Sequence, residues 1–447
     1  MNGKPPLQSS DSVSDLKVAW DLQKTDALDV SQTYSNISTG STFSTDWHRV
    51  QEERWRMDPS DFDCQWDTLK NKWDEDLLER NDSVKRVLWL NWTEEMVRDP
   101  SISPILFQYD NLSDVKSDNR LLKALYQYGL VLITGTPTQT DSLSEEFINP
   151  ASLQNTNICK GSAESAILHL ASIIGYHPLQ TLYGPGVWST SSHSSFYNTA
   201  DSSDTSASTA DSAYGSTSLP LHTDMTYMSS PPGVQVFLMV QPATAPTADE
   251  ITANIRNDND TTFVPTGQSV YLDGLAASRQ LQIENPRAFE LLATTTRRYR
   301  CIDAQEGWHM EASGPVIEAI PRRKTEANDI LDQSYEWGPV KSIRHNDLDR
   351  LPDLPPYPNN GNSQESNDEF YNQLREAHEA WDNILRRDCM RLVIGLQPGD
   401  CVLVSNQRCM HGRYAFDATY YPRVVMGCYV GIDELLSKWR VNDFRVL

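Results

Sequence analysis

The chain has 447 residues, of which 38% are hydrophobic, and its 61 acidic and 38 basic residues give a formal net charge of −23. This length and apolar content predict one large domain with a sizeable core and a smaller N-terminal piece. The acidic balance argues against nucleic-acid and anionic-membrane binding, because both need clustered Lys and Arg. In the plainer interpretation the charge serves solubility, and in the other it weakly attracts cationic substrates.

The N-terminal stretch MNGKPPLQSSDSVSD has neither the apolar segment of a secretory signal nor the arginines of a mitochondrial transit peptide. No run of about 18 apolar residues predicts a membrane span. The seven cysteines are scattered and form no CxxC pair, which is typical of reduced thiols and offers no zinc-finger spacing. We therefore expect a cytoplasmic protein that does not enter a membrane.

In chain order, residues 1–105 are rich in Trp and charge and poorly periodic, with VKRVLWLNW at 84–92 as their clearest apolar element. We expect an N-terminal domain over 1–105 and a second domain over 106–447. The spacing of apolar residues in the second domain predicts a helix over 117–128 that ends at Gly129. The apolar run LVLIT directly after it predicts a short buried strand.

Beyond this strand, another amphipathic helix is predicted over 165–176. Residues 191–213 are so rich in Ser, Thr and Asp that we expect a flexible surface insertion. Further helices are predicted at 286–293 and 368–387. Strands are predicted at 233–241, 269–274, 296–302, 390–396, 401–405 and 422–431. Many strands, few helices and long connections predict an α+β, mainly β fold, an antiparallel barrel or sandwich flanked by helices.

The stretch LPLHTDM places His222 and Asp224 directly before a long apolar run. A distal histidine, His411, follows the predicted strand CVLVS, and Arg423 comes twelve residues later. Two histidines and one carboxylate on one face of a metal leave the opposite face open, as in non-haem Fe(II) oxygenases. A lone HxD is usually incidental, whereas the ordered set with its flanking strands is specific. A strand-borne Arg suits a bidentate clamp on a carboxylate.

With these motifs the chain resembles the Fe(II)/2-oxoglutarate dioxygenases of the taurine dioxygenase superfamily, and within it the γ-butyrobetaine and trimethyllysine hydroxylases. The resemblance covers roughly 115–447 and implies a double-stranded β-helix, or jelly roll, flanked by helices. The matching segments are YGLVLITGTP (128–137), LPLHTDMTYMSSPPGVQ (219–235), SVYLDGLAAS (269–278), NPRAFELLATT (285–295), IRHND (343–347), LQPGDCVLVSNQRCMHGRYAFD (396–417) and PRVVMGCYVGIDEL (422–435).

The resemblance implies that His222, Asp224 and His411 bind Fe(II). It implies that Arg423 pairs with the distal carboxylate of 2-oxoglutarate and that Ser269 touches the same co-substrate, with an ordinary strand serine as the alternative. Arg413 helps to orient the site or forms a structural salt bridge. The implied cofactors are Fe(II), 2-oxoglutarate and molecular oxygen, with ascorbate helping to keep the iron reduced. The implied partner is a small molecule, and relatives imply a homodimer.

The butyrobetaine-type relatives hold a trimethylammonium group in an aromatic cage, because a poorly hydrated cation packs well against ring faces. Taken singly, each such aromatic is more often core packing. Asn346 matches a position that contacts substrate in relatives. The resemblance thus gives the substrate-binding candidates Tyr183, Trp188, Tyr214, Asn346 and Tyr429.

Two departures from these relatives bear on the substrate. Residues 1–105 hold one Cys and one His, which cannot form the zinc site of the relatives' N-terminal domain. The insertion at 191–213 lies over the substrate-binding segment, and a second one separates the HxD strand from Ser269 at 242–266.

We expect a dioxygenase that hydroxylates an unactivated C–H bond of a cationic, amino-acid-like molecule. The alternatives are hydroxylation, desaturation or cleavage of a specialised-metabolite precursor, a catalytically silent binding protein, and a zinc hydrolase.

Overall fold

The computed structural model describes residues 85–112, 115–140, 161–182, 184, 186–192, 216–243, 267–303, 307–323, 335–354, 363–416, 423–442 and 444. The chain divides into two compact units, Met1–Leu77 and Leu78–Leu447, and every described residue belongs to the second. Most of the predicted N-terminal domain therefore lies outside the described residues. The same holds for nearly all of the two predicted insertions.

Six strands form the larger sheet, which we call the major sheet. In spatial order they are β1 (Leu106–Gln108), β2 (Leu130–Thr134), β12 (Cys401–Ser405), β5 (Val234–Gln241), β14 (Arg423–Val430) and β3 (Trp188–Ser192). The β1–β2 pair is parallel and all other pairs are antiparallel. Strands from both ends of the chain thus lie side by side in this sheet.

Four strands form the smaller sheet, which we call the minor sheet. In spatial order they are β11 (Arg391–Ile394), β6 (Ser269–Asp273), β13 (Cys409–Arg413) and β4 (Leu219–His222), all antiparallel. Two separate hairpins join β7 (Arg297–Asp303) to β8 (Trp308–Gly314) and β9 (Ile317–Arg323) to β10 (Tyr335–Ile343).

The helices of the described part are α1 (Glu94–Arg98), α2 (Val115–Tyr128), α3 (Ala163–Ile174), α4 (Gly274–Glu284), α5 (Pro286–Thr294), α6 (Ser363–Leu385) and α7 (Ile432–Val441). Local chemistry fixes their ends. Asn285 ends α4 and caps α5 by accepting a hydrogen bond from the Ala288 amide, and Pro286 follows at the first helical position, where its missing N–H costs nothing.

The two sheets pack face to face, and β12 shows how. Val402 and Val404 lie in a cluster that joins β2 and β5 of the major sheet to β6 and β11 of the minor sheet. Cys401 and Leu403 alternate with them and pack against the helices α2, α3 and α7. Because the centre of the major sheet is buried on both faces, its four central strands read as largely continuous apolar runs rather than as alternating ones. The helices α4, α5 and α6 cover the outer side of the minor sheet through a separate cluster.

The structure confirms an α+β chain with abundant sheet, and most predicted elements form near their predicted bounds. The helix predicted over 117–128 begins two residues earlier and ends before Gly129, whose φ of +71° suits a residue without a side chain. The apolar segment at 84–92 differs: its described residues form no regular strand, and Trp89 instead packs into the cluster between the sheets. Among the described residues, no helix is long and apolar enough to cross a membrane.

Candidate metal centre and its surroundings

Three predicted ligands meet between the sheets at the edge of the minor sheet. His222 of β4 and His411 of β13 are direct cross-strand partners, so their side chains share one face. Asp224 follows β4 by two residues, and its Oδ1 lies 3.4 Å from the Nε2 atoms of both histidines. All three donor atoms lie within 4.8 Å of one another. We call these three residues the metal centre.

The orientation of the His222 ring and the ionised carboxyl of Asp224 suit a divalent cation. His222 Nδ1 lies 2.8 Å from the carbonyl oxygen of Pro220, and a proton donated there leaves the Nε2 lone pair free for a metal. Burial opposes ionisation of Asp224, but the neighbouring His411 and His222 outweigh it and hold the pKa of the Asp224 carboxyl far below its usual range. Two imidazole nitrogens and one ionised carboxylate on one side fit a metal with an open face.

The main chain around Asp224 is held by Asn406, which is completely buried after β12. Its side-chain oxygen accepts a hydrogen bond from the Asp224 amide at 2.7 Å, and its Nδ2 donates to the Asp224 carbonyl at 3.0 Å. The next residue, Met225, has a φ of 55°, a left-handed conformation that costs a non-glycine residue free energy. The amide clamp thus fixes a turn that the local sequence alone disfavours.

The carboxylate of Asp224 has a further partner on the major sheet. Gln235 of β5 donates from Nε2 to Asp224 Oδ2 at 2.8 Å. Our sequence interpretation missed both Asn406 and Gln235. A signal for Gln235 is present in the run VQVFLMV, where a glutamine stands among apolar residues, and a signal for Asn406 is its place directly between a buried strand and His411.

Two predicted co-substrate residues lie beside the ligands on the minor sheet. Ser269 of β6 and Arg413 of β13 are cross-strand partners, two residues along from the pair of Tyr271 and His411. Burial raises the pKa of the Tyr271 phenol, while a hydrogen bond with Ser269 and the charge of Arg423 oppose the shift. Ser269 and the predicted clamp Arg423 are thus both close enough to Tyr271 to act on its phenol. The sequence interpretation missed Tyr271.

The residues Arg413 and Arg423 are 5% and 6% exposed. Both lie over the ring of Phe416, at 4.6 Å and 5.8 Å from its centroid. Burial lowers the pKa of Arg413 to about 10. Burial together with the charge of Arg413 lowers the pKa of Arg423 to about 9. A carboxylate bound here would offset the cost of holding two buried like charges.

The substrate-binding candidates divide between described and undescribed positions. Trp188 of β3 and Tyr429 of β14 lie with ring centroids 6.0 Å apart, in a cluster with Met225, Tyr227 and Tyr299. Trp188 also lies over Gly427, its cross-strand partner, where a Cβ would come within 2.7 Å of the indole and would also collide with the Val236 carbonyl oxygen. Tyr183 and Tyr214, the other two predicted aromatics, lie outside the described residues.

Asn346, the last predicted substrate residue, is 9% exposed and lies beside the loop that carries Asp224. Its Nδ2 donates to Asp349 Oδ2 at 2.9 Å, and Thr226 donates to the same oxygen at 2.9 Å. Thr223 donates its amide to the carbonyl of His345 at 2.7 Å. The 345–349 segment is therefore bonded to both sides of the metal-carrying turn.

A second group of potential ligands consists of His345, Asp347 and Asp382, whose donor atoms also lie within 4.8 Å of one another. We call it the second cluster. Its surroundings already contain positive charge, since Arg297 and Arg350 approach Asp347 Oδ1 at 3.6 Å and 3.5 Å. Arg297 is 2% exposed. Because guanidinium groups occupy the space around this carboxylate, the second cluster is poorly suited to a metal ion.

Comparison with known proteins places the chain among dioxygenases. Trimethyllysine dioxygenase of Neurospora crassa is 30% identical over 248 residues, which are 53% of this chain and 47% of that protein. Gamma-butyrobetaine dioxygenase of Pseudomonas sp. (strain AK-1) is 29% identical over 227 residues, 51% of this chain and 46% of that protein. The chain thus spans about half the length of the curated relatives it matches.

Among solved structures, asparagine oxygenase in complex with Fe(II), 2S,3S-3-hydroxyasparagine and succinate matches at 16% identity and a TM-score of 0.39, over 71% of this chain and 85% of that one. A score of this size is too low to establish the fold. The family model of the taurine catabolism dioxygenase TauD, TfdA family matches residues 100–429. That match covers well over half of the sequence, and the chain belongs to the TauD, TfdA dioxygenase family.

Proposed function

We propose that the chain is an Fe(II)- and 2-oxoglutarate-dependent dioxygenase that hydroxylates an unactivated C–H bond of a small, amino-acid-like trimethylammonium substrate, as in carnitine biosynthesis. Membership of the dioxygenase family supports the reaction class. The names of the relatives, trimethyllysine dioxygenase and gamma-butyrobetaine dioxygenase, support the substrate class. The observation that carries the proposal is the trio of donor atoms within 4.8 Å of one another.

In this proposal His222, Asp224 and His411 hold iron on one side and leave its other side open for co-substrate and oxygen. Bound iron and 2-oxoglutarate would supply the oxidation of the C–H bond by molecular oxygen. The protein's contribution is positioning. The Pro220 carbonyl orients the His222 ring, and Asn406 holds the main chain of Asp224. A general base is not required for this chemistry.

Arg423 is the proposed clamp for the distal carboxylate of 2-oxoglutarate. Burial together with the charge of Arg413 lowers the pKa of Arg423 to about 9, and a bound carboxylate would favour the charged form of its guanidinium. Ser269 hydrogen-bonds Tyr271, the cross-strand partner of His411, within the same proposed pocket. Arg413 donates to the Thr217 carbonyl at 2.8 Å, so its proposed role is to shape the pocket and reinforce its positive charge.

The proposed trimethylammonium cage consists of Trp188 and Tyr429 with Tyr183 and Tyr214 as its further members. The neighbouring, tilted rings of the first two support it, because ring faces attract poorly hydrated cations. Asn346, which is bonded to Asp349 beside the turn that carries Asp224, would complete the substrate site. The packing of the major sheet against the minor sheet supports a jelly-roll core. We further propose a separate N-terminal domain without a zinc site, a homodimer, a cytoplasmic location and a stimulating effect of ascorbate.

The test is succinate formation by the purified protein, loaded with iron without oxygen and then given 2-oxoglutarate and oxygen. Parallel reactions contain trimethyllysine, γ-butyrobetaine or no substrate. Stimulation by either trimethylammonium compound is the expected result. Succinate without stimulation would retain the dioxygenase and reject the substrate class. No succinate under any condition, from protein shown to contain iron, would reject the proposed function.

A further inference from the structure

Gln235 occupies an unusual position for a glutamine. It lies in the middle of the major sheet, on β5 between β12 and β14, where its direct partners are Val404 and Tyr429. It is 6% exposed, and its neighbours along the strand are valines. A buried carboxamide costs free energy unless its polar atoms are hydrogen-bonded. In this apolar run Gln235 therefore needs hydrogen-bond partners for its carboxamide.

The partners are a proposed metal ligand and a proposed substrate aromatic. Gln235 Nε2 donates to Asp224 Oδ2 at 2.8 Å and to the Tyr429 hydroxyl oxygen at 3.3 Å. One nitrogen carries two hydrogens, so both are used. The orientation of the amide is dictated by Asp224, because the opposite orientation would set the amide oxygen against an ionised carboxylate.

The two carboxylate oxygens of Asp224 therefore have different contacts. Oδ1 lies 3.4 Å from each histidine Nε2, whereas Oδ2 is engaged by Gln235. An oxygen that already accepts a hydrogen bond from a fixed strand residue is a poorer candidate for metal coordination. The carboxylate is also prevented from rotating, since Asn406 fixes its main chain and Gln235 its outer oxygen.

We infer that Gln235 is a positioning residue that restricts Asp224 to coordination through Oδ1 and links this ligand to the substrate pocket through Tyr429. The identities of the metal and the substrate rest on the proposed function, whereas the geometry does not. Displacement of the Tyr429 hydroxyl by a bound substrate would be transmitted to the metal ligand through a single side chain. Gln235 itself touches neither the metal nor the reacting atoms.

The experiment measures metal binding directly, apart from turnover. Purified full-length protein is titrated with Mn(II) for affinity and loaded with Co(II) for its visible ligand-field spectrum. The variants are Gln235→Met, which keeps the volume and removes the donors, and Gln235→Asn, which retains an amide but withdraws it from Asp224. Gln241→Met makes the same replacement at the far end of β5 and serves as the matched control. Circular dichroism and thermal unfolding verify the fold of each.

We expect both Gln235 variants to lose about tenfold or more in Mn(II) affinity, the size of effect typical for residues that orient metal ligands, and to show an altered Co(II) spectrum. Gln241→Met should match the wild type. In steady-state assays Tyr429→Phe should raise KM for the substrate, and its effect should not add to that of Gln235→Met, because the two residues act through one contact. The Mn(II) affinity of Tyr429→Phe should stay unchanged.

Unchanged Mn(II) affinity and Co(II) spectrum in both Gln235 variants would overturn the inference and leave the proposed function intact. Absence of succinate from the wild type would reject the proposed function, while the Mn(II) and Co(II) measurements would still decide the role of Gln235. Additive effects of Gln235→Met and Tyr429→Phe on KM would reject the link to the substrate pocket. A wild type that binds neither Mn(II) nor Co(II) would overturn both.

Discussion

The metal centre and the second cluster offer nearly the same donors in opposite electrostatic surroundings. In the metal centre the charged form of the acid is favoured, since the histidines hold the pKa of Asp224 far below its usual range. In the second cluster the neutral forms of His345 and Asp382 are favoured. Burial, aided by the charge of Arg297, lowers the pKa of His345 to about 4, and burial with the charge of Asp347 raises the pKa of Asp382.

The difference shows that spacing of His and Asp does not by itself make a metal site. Two aspartates and a histidine lie as close together as the metal centre does, but guanidinium groups surround one of those carboxylates. The metal centre instead has a carbonyl, a carboxamide and a second imidazole around its donors. Groups that accept or donate without a full positive charge leave room for a cation.

The largest effect is expected from removing a ligand. Asp224→Ala should abolish Co(II) binding and reduce succinate formation to background, because two histidines alone leave the metal without its only charged ligand. The matched variant His345→Ala, in the second cluster, should bind one equivalent of Co(II) like the wild type. Isothermal titration of both variants checks this, and retained Co(II) binding by Asp224→Ala would move the metal site elsewhere.

Arg423→Ala should raise KM for 2-oxoglutarate by about a hundredfold, since a buried charge pair contributes roughly 2–5 kcal/mol to binding. Affinity for Co(II) should stay within a factor of about two, because the arginine binds the co-substrate rather than the metal. Steady-state kinetics at varied 2-oxoglutarate provide the measurement. In Arg297→Met, which removes the buried arginine of the second cluster, KM should not change. An equal rise in both variants would refute the assignment of Arg423.

Arg297 should matter for stability instead. Its Nε lies 3.4 Å from Asp353 Oδ1 and its Nη1 3.6 Å from Asp347 Oδ1, and removing one partner of a buried pair leaves the other charge uncompensated. Arg297→Met should lower the free energy of unfolding by about 3 kcal/mol, measured with urea at neutral pH. A loss below the error of the measurement would show that these ion pairs contribute no net stability.

The pH dependence should separate the two clusters further. His345 has a lowered pKa of about 4 in the folded protein, so between that value and its ordinary one near 6.5 the unfolded chain binds the extra proton. Stability should therefore fall as pH decreases from about 6.5 to about 4, by at most roughly 3 kcal/mol for this residue. Urea unfolding of metal-free protein at pH 7 and pH 5 should show a shallower loss in His345→Gln than in the wild type.

The smallest effect concerns the proposed cage, which has no counterpart at the second cluster. Trp188→Leu should raise KM for a trimethylammonium substrate by about fivefold to tenfold, the size of a partly desolvated cation–π contact. The same variant should raise KM much less for an uncharged analogue that carries a tert-butyl group in place of the trimethylammonium. Equal losses for both compounds would assign Trp188 to packing rather than to cation recognition.

The sequence predicted β12 with its observed bounds because all five of its residues are buried and a turn precedes it. It predicted His222 and Asp224 because they stand directly before a long apolar run. It predicted His411 because it follows the strand CVLVS, and Arg423 because it begins the next strand. The short strand β3 was not predicted, since WSTSS has almost no apolar content. One of its faces borders the proposed substrate pocket, where a regular apolar pattern is not needed.

Asn406 and Gln235 were beyond the reach of the sequence for a different reason. The hydrogen bond between Asn406 and the Asp224 amide joins residues 182 positions apart, and a glutamine on a strand gives no sign of which carboxylate it will meet. The sequence of the second cluster would have wrongly suggested metal ligands, because IRHND contains a histidine and an aspartate. Arg297, which pairs with Asp347, lies on β7, about 50 residues earlier in the chain, so the sequence gives no sign of this ion pair. Spacing identified the donors, and tertiary packing decided which of them are available.

Gly427 lies beneath Trp188 at the base of the proposed substrate pocket. Because this residue has no side chain, the indole of Trp188 lies directly on the sheet, at the greatest depth that the backbone permits. Replacement by alanine would set a methyl group against both the indole and the Val236 carbonyl oxygen, so the position of Trp188 and the pairing of β14 with β5 would both have to shift. The packing of Trp188 and the pairing of two central strands therefore both depend on the absence of a side chain at this one position.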